Sequence, residues 1–395
     1  MTLTNCQYYG LSQLLKWYRK YQNQIIEISG TVGTGVWELI QEFIQHTDLD
    51  EKEVVYLSFD QKKVLDLAYQ KMHSYYINSI IYKYSRQVDI DTIPIVNINS
   101  NKVDVKWSKK PKKKLDPRYK LFVVFDSTLL DFQTLQDLLY FGLPVILIRD
   151  PVLLPAPDSH TFLKKPNIVL RELHPDYLKN PIIYFAHKVL NDERLETGNY
   201  DTVNVISKKR MNLSNLRSTD MNICISNRIR DDITRVYREK IVRKKEKDMI
   251  NVANERVIVA KTLYGERLVN SDNKKVKLYL TKGMVGYLTK VNGHQPGTKY
   301  TYVDFRPEFY HDSFQELEMN RFYLNKIQAS STAQIPDEEF LVDYAYALTA
   351  AESRTSYWDK VTLITDMNDL EDHSLQKRLL YTGITRAQNS LTIVI

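Results

Sequence analysis

Short apolar runs alternate with segments of helical spacing along the first 160 residues, and this alternation constrains the fold more than any other feature. "QIIEISG" is a short β run, and "WELIQEFIQH" after it has apolar residues three and four apart. "EVVYLSF" precedes the helical "KVLDLAYQKM". "YKLFVVFD" precedes "TLQDLLYFG" and then "PVILI". Such alternation means βαβ units, and therefore an α/β fold with parallel sheets. It resumes after about residue 165, with a helical "NPIIYFAHKVL", β runs "TVNVI" and "NICIS", and a basic amphipathic stretch "RIRDDITRVYREKIVRKKEK". From about 252 to 325 the runs become short and β-like, broken by Gly, Asn and Pro. This reads as a small all-β module set into the second α/β unit. The chain then returns to α/β character through "KVTLITD", a helix over "SLQKRLLYTGITRA" and a closing strand "SLTIVI". Residues 85–118, polar and then strongly basic, read as an insertion or surface loop.

A chain of 395 residues has room for two or three domains. It is 43% hydrophobic and 26% charged, and no apolar run approaches the ~18–20 residues of a membrane span. No membrane partner is expected. The start, "MTLTNCQYYG", lacks the basic and apolar regions of a signal peptide. Cys6 and Cys224 stand far apart and suggest neither a disulfide framework nor a metal site. A reducing cytoplasmic setting, in the host if the source is viral, is the expectation. A net charge of +7 permits nucleic-acid binding without demanding it.

Glycine is scarce, 12 in all, so three within six residues stand out. In "EISGTVGTGVWEL", residues 27–39, Gly30 and Gly35 have the spacing of the phosphate-binding pattern G-x-x-x-x-G-K-[ST], with Gly33 between them. Val36 then occupies the lysine position and Trp37 the hydroxyl position. The glycines serve either a phosphate at a helix N-terminus or simply a tight strand-to-helix turn.

The order of segments resembles superfamily 1 DNA helicases of the RecD and phage Dda type. "LTNCQ" looks like the adenine-recognition motif, with Gln7 in place. "VVFDSTLLDFQTLQDLLYFGLPVILIRDPVLLPAP" looks like the Walker B segment running into motif III. "TKGMVGYL" looks like the inserted SH3-like barrel, "VDYAYALTAAESRTSYWDKV" like motif V, and "RLLYTGITRAQNSLTIV" like motif VI. The resemblance implies two RecA-like P-loop NTPase-type domains with ATP and Mg²⁺ between them and single-stranded DNA across their tops. It implies a first domain over 1–165, a second over 166–248 and 336–395, and the inserted module over 249–335.

Against that pattern the chemistry is depleted. Val36 and Trp37 supply neither the cation nor the metal-holding hydroxyl. If Asp131 fixes the Walker B register, Phe125 replaces the metal aspartate and Asp126 the water-activating glutamate. In the other register Asp126 is the metal aspartate and Ser127 replaces the base. Leu153 stands for the γ-phosphate-sensing glutamine, and Pro175 for the arginine finger. In motif V, Ala351, Glu352, Arg354 and Thr355 replace the family's residues. Arg386 alone keeps its motif VI place, as a phosphate contact or as a structural salt bridge in the old cleft. Gln7, without a nucleotide, is expected as a polar surface contact. Neither a cofactor nor a metal is expected. ATP and Mg²⁺ enter only under the alternative reading of an active 5′-to-3′ helicase with Lys62 or Arg354 as the replacement cation.

The leading expectation is therefore a helicase-fold protein without a working motor, binding single-stranded or forked DNA or docking on replication or recombination proteins. A third reading is an assembly subunit with no DNA affinity. By motif position Phe59, Lys62, Asn78, Tyr346 and Thr349 are the DNA-path candidates. Lys109, Lys110, Lys112, Lys113 and Lys114 form a cluster that either binds phosphates or is a solvated loop.

Overall fold

The computed structural model describes residues 3–20, 23–88, 105–111, 114–154, 165–242, 253–263, 267–269, 277–294, 300–320, 340–366 and 371–395. After α1 (Asn5–Lys20), β1 (Ile25–Gly30) leads through the glycine turn into α2 (Val36–Gln45). Then come β2 (Val54–Ser58), α3 (Gln61–Tyr69), β3 (His73–Tyr76), α4 (Ile77–Ile81), β4 (Tyr82–Val88) and β5 (Val105–Pro111). β6 (Leu121–Val124), α5 (Phe132–Leu139), β7 (Val145–Arg149) and β8 (Ile168–Leu170) follow.

Six of these strands make an all-parallel sheet in the order β3-β2-β6-β7-β1-β8. β2 and β6 are buried along their whole length, which is why they read as unbroken apolar runs. α2 seals one face with Leu39, Ile40, Phe43 and Ile44, spaced three and four apart and all buried. Its core partners include Leu14, Ile28, Leu121, Val123 and Ile146. Asp131 caps α5 through the backbone N–H of Thr134. β8 belongs to this sheet through its pairing with β1, so the first parallel domain extends past the boundary expected at 165.

The second α/β part begins with α6 (Pro181–Leu190), β9 (Gly198–Tyr200), β10 (Val203–Ile206), α7 (Leu213–Arg217), β11 (Met221–Cys224) and α8 (Asn227–Tyr237). α8 passes into a π-helical turn at Arg238–Val242. The all-β stretch comprises β12 (Arg256–Val259), β13 (Arg267–Val269), β14 (Lys277–Tyr279), β15 (Val285–His294), β16 (Tyr300–Pro307), β17 (Phe314–Asn320) and β18 (Val342–Tyr344). The α/β pattern then closes with β19 (Ala347–Thr349), β20 (Trp358–Ile364), α9 (His373–Ile384) and β21 (Ala387–Val394). The second sheet runs β19-β11-β20-β21-β10-β9, parallel except for β9 at its edge. The chain is an α/β protein with two six-stranded parallel-type sheets.

Two compact units emerge. Both α/β sheets fall in one, made of Met1–Ile77, Lys114–Lys244 and Tyr346–Ile395. The other comprises Asn78–Lys113 and Lys245–Ala345. In it β17-β16-β15-β12-β18 form an antiparallel sheet. Since Val257 pairs with Tyr344, the all-β module runs past its expected end at 335. The basic segment at 85–118 is not simply a loop: β4 and β5 pair antiparallel from Tyr82↔Pro111 to Val88↔Val105.

In this second unit Gly286 sits against the neighbouring strand. A Cβ there would stand 2.2 Å from the Arg306 carbonyl oxygen and 2.7 Å from the Phe305 ring. The obstacle is backbone, so Gly286→Ala is expected to destabilise the unit by about 1–3 kcal/mol through overpacking, read as a lower urea midpoint with the far-UV spectrum retained.

Candidate functional site

The loop after β1 lies at the carboxyl end of the first sheet, where ligands bind in open α/β sheets. Gly33 and Gly35 have φ of +81° and +73°, the left-handed region that side chains avoid. A Cβ on Gly35 would meet Gln7 Nε2 at 2.3 Å. Thr34 closes the turn by donating from its N–H and its hydroxyl to the Thr31 carbonyl.

Four polar groups of this loop bond to side chains or backbone elsewhere in the unit. The Val32 N–H donates to the Tyr381 hydroxyl at 2.7 Å. The Val32 carbonyl lies 2.9 Å from His187 Nε2, which must carry the proton because a carbonyl only accepts. The Gly33 carbonyl accepts from the His174 N–H at 2.8 Å. The Gly35 carbonyl accepts from Gln7 Nε2 at 2.7 Å. Gln7 is fully buried, which corrects the expectation of a surface contact. Its amide oxygen accepts from the Thr4 N–H, so α1 and the loop are stitched together at both ends of one side chain. Pro175 begins a single 3₁₀ turn capped by His174 and carries no charge toward the loop.

Val36 and Trp37 pack into the apolar core of the first sheet. The Trp37 ring lies 5.7 Å from Tyr56 and 5.9 Å from Phe125, and Phe125 stacks on Tyr56 at 6.2 Å. Lys63 Nζ stands 4.0 Å over the Phe125 ring. An aromatic cluster thus fills the ends of β2 and β6, at positions where an ion and its ligands would need polar partners. Asp126 follows with φ of +52° and begins a 3₁₀ turn.

Three carboxylates surround the Arg386 guanidinium electrostatically: Asp126, Asp150 and Asp60. Burial pushes the guanidinium pKa down, and those acids oppose the shift. Its hydrogen bonds, however, go to the carbonyls of Arg354 (2.7 Å) and Ser356 (3.4 Å) and to the Thr385 hydroxyl. Among the described residues it makes no ion pair, which corrects the expected salt bridge. The Tyr381 hydroxyl, which accepts from Val32, donates to Asp150 at 2.5 Å. Burial first, then the charge of Asp150, raises the Tyr381 pKa far above the usual phenol value. Nearby, Arg378 reaches the Leu153 carbonyl at 3.5 Å, and the Leu154 N–H reaches the Thr382 hydroxyl.

The nucleic-acid candidates fare unevenly. Lys62 Nζ is engaged by the Tyr357 carbonyl at 3.0 Å and lies over the Tyr357 ring. The Tyr357 hydroxyl in turn donates to Asp66. Tyr346 is buried and stacked on Tyr237 at 4.8 Å, so it offers no free face to a base. Thr349 is buried and bonds Glu352 through its N–H and hydroxyl. Phe59 is half-buried against the edge of Tyr76. Asn78, half-buried, lies in α4. Lys109 and Lys110 sit on β5 opposite Tyr84 and Lys83, and Lys114 is exposed. Lys112 and Lys113, like Arg243, Lys244, Lys245 and Lys247 of the basic stretch, lie outside the described residues. Sequence reasoning missed His187, Asp60, Asp150 and the role of Tyr381. For Tyr381 the signal is its place in the motif VI stretch, five residues before Arg386.

Residues 289–395 match the model of the viral superfamily 1 RNA helicase core domain. That stretch carries a superfamily 1 helicase signature. No curated protein matches the chain. Among solved structures it is similar to the Pif1 helicase from Candida albicans, at 12% identity and a TM-score of 0.47, covering 100% of this chain and 94% of that one. It is also similar to Bacteroides Pif1 bound to ssDNA, at 12% identity and a TM-score of 0.43, covering 100% and 92%. Within the helicase-like segment lie Tyr381 and Arg386, the two residues on which the bonds of the site converge.

Two outcomes follow from the site. Tyr381→Phe leaves the Val32 N–H without its acceptor and Asp150 without its side-chain donor, and should cost about 1–3 kcal/mol in a urea titration. Asp60 gives a pH test. Its carboxyl is pushed up to about 7, by burial first and by the charge of Asp126 second, against Lys63 and the N–H groups of Lys62 and Lys63. Unfolded, an aspartate titrates near ~3.9. Between those values the folded chain keeps a proton that the unfolded chain has lost, so stability falls as pH rises from about 4 to about 7. Asp60 also caps α3 through the Lys62 N–H, and Asn caps as well as Asp. Asp60→Asn should therefore match wild type near pH 4 and exceed it at pH 8, by on the order of 2–4 kcal/mol. Urea midpoints at the two pH values read the difference.

Proposed function

We propose that this chain is a helicase-fold protein whose ATP-driven motor is inactive, and that it holds single-stranded or forked nucleic acid as a static clamp in replication or recombination. The observation that carries this reading is the Tyr381 hydroxyl on the Val32 N–H. A loop that cradles phosphate does so with backbone N–H groups, and here one is taken by the protein's own side chain. The neighbouring positions supply no substitute. Val36 and Trp37 have neither a cation nor a hydroxyl, and Trp37 lies in an aromatic cluster with Phe125. ATP and magnesium therefore do not fit the residues present, and no hydrolytic step is derived through them. Losing one transition-state donor costs roughly 10²–10³ in rate and an arginine finger about 10³–10⁵. These losses do not add, but together they leave little catalysis.

The finer assignments belong to the same reading. They are a RecD/Dda-type ancestry from a viral genome, an SH3-like character for the antiparallel insert, and docking on replication or recombination proteins. An active 5′-to-3′ helicase would need a replacement cation, and Lys62 is already engaged by Tyr357. The matching family model is one of RNA helicases, whereas the order of motifs resembles DNA helicases, so both polymers belong in the test. The phosphate contacts of the clamp are assigned to the sequence cluster Lys109, Lys110, Lys112, Lys113 and Lys114.

Fluorescence anisotropy with labelled single-stranded DNA and RNA, without nucleotide and over a salt series, tests the clamp. Sub-micromolar binding that weakens steeply with salt is expected, because phosphate contacts release counterions. ATP hydrolysis is expected at background, with or without the oligonucleotide. Stimulated hydrolysis that disappears in Arg386→Ala would restore the motor. No binding even at low salt would leave a scaffold that serves protein partners alone.

A further inference from the structure

α1 buries one side only. Gln7, Gly10, Leu11 and Leu14 face inward, and the helix packs against α2 and β8. The outward side carries Tyr8 and Tyr9, 58% and 62% exposed. Neither hydroxyl bonds to another described residue. Further along stand Lys16, Arg19 and Lys20, all exposed. The helix contains no Asp or Glu. Among the described residues these three cations make no ion pair. Glu172 accepts from the Cys6 N–H, and Glu53 is paired with Lys120 at 2.6 Å.

Arg19 and Lys20 in the last turn complement the helix dipole. That accounts for neither Lys16 nor two adjacent exposed rings. At 1.5 Å per residue the cations lie about 10–18 Å down the axis from the rings. Flat aromatic faces followed by unpaired cations are the elements of single-strand binding, where bases stack and phosphates find charge. We propose that the outer face of α1 is a second contact for single-stranded nucleic acid, with bases stacked on Tyr8 and Tyr9 and phosphates on Lys16, Arg19 and Lys20. This surface is the outward side of α1, whose inward Gln7 bonds the Gly35 carbonyl. The inference rests on the nucleic-acid reading above and extends the path of the bound strand.

The test uses the full chain and a labelled single strand of about 30 nucleotides. Triple reversal, Lys16→Glu with Arg19→Glu and Lys20→Glu, should weaken binding tenfold or more. It should also flatten the logarithmic salt slope by about 2, from about 0.7 per phosphate contact. Tyr8→Ala with Tyr9→Ala should weaken binding roughly 5- to 100-fold, and Tyr8→Phe with Tyr9→Phe should restore it, because stacking needs the ring and not the hydroxyl. All five side chains are exposed, so circular dichroism should match wild type. If wild type binds and the variants bind as wild type does, the α1 inference alone falls and the face passes to a protein partner. If wild type binds no oligonucleotide, both readings fall.

Discussion

One hydroxyl group holds a central position in this fold. Tyr381, on a helix of the second sheet, accepts from the loop at the end of β1 and donates to Asp150 at the end of β7. It therefore joins two points of the first sheet to the second through a single oxygen. Buried polar groups must find partners, and each of these three groups satisfies the others. His187, Gln7 and His174 complete the loop's hydrogen bonding from other directions. A nucleotide site keeps such donors unpaired until its ligand arrives. Here the polypeptide itself supplies an acceptor for the Val32 N–H and donors for three of the loop's carbonyls.

The neighbouring aromatic cluster follows the same rule from the apolar side. Val36 and Phe125 place no charge here whose burial would need a counter-ion. Trp37, Tyr56 and Phe125 pack as core, and Lys63 lies over the Phe125 ring. The acids left behind still bear a desolvation cost. Burial raises the carboxyl pKa values of Asp60 and Asp150. Arg386, bonded to carbonyl oxygens, offsets this only through space.

Much of the fold was legible because its strands are buried on both faces. β2, β6 and β7 are unbroken apolar runs, and α2 shows its stripe at helical spacing. α1 was not legible: Gly10 and a buried glutamine interrupt its inner face. β8 is three residues long and declares itself only by pairing with β1. At the site, the glycines were visible because positive φ demands them. The burial of Gln7 and the engagement of Lys62 were not, since both depend on partners far away in sequence. The motif-derived candidate Tyr346 failed for a related reason, because a residue's place in a motif does not reveal that Tyr237 covers its ring.

The separation in sequence between those partners has a consequence for how the protein is made. Val32 and Tyr381 are 349 residues apart, and Asp150 and Tyr381 are 231 apart. Chains emerge from the ribosome at about 5–20 residues per second, with N-terminal domains folding first. The first sheet can thus collapse on its own core tens of seconds before Tyr381 exists. During that interval the Val32 N–H lacks its hydroxyl acceptor, and the Asp150 carboxyl has the backbone N–H of Val152 but no side-chain donor. The contact that ties the two sheets together is therefore the last to form, and completing the chain supplies it.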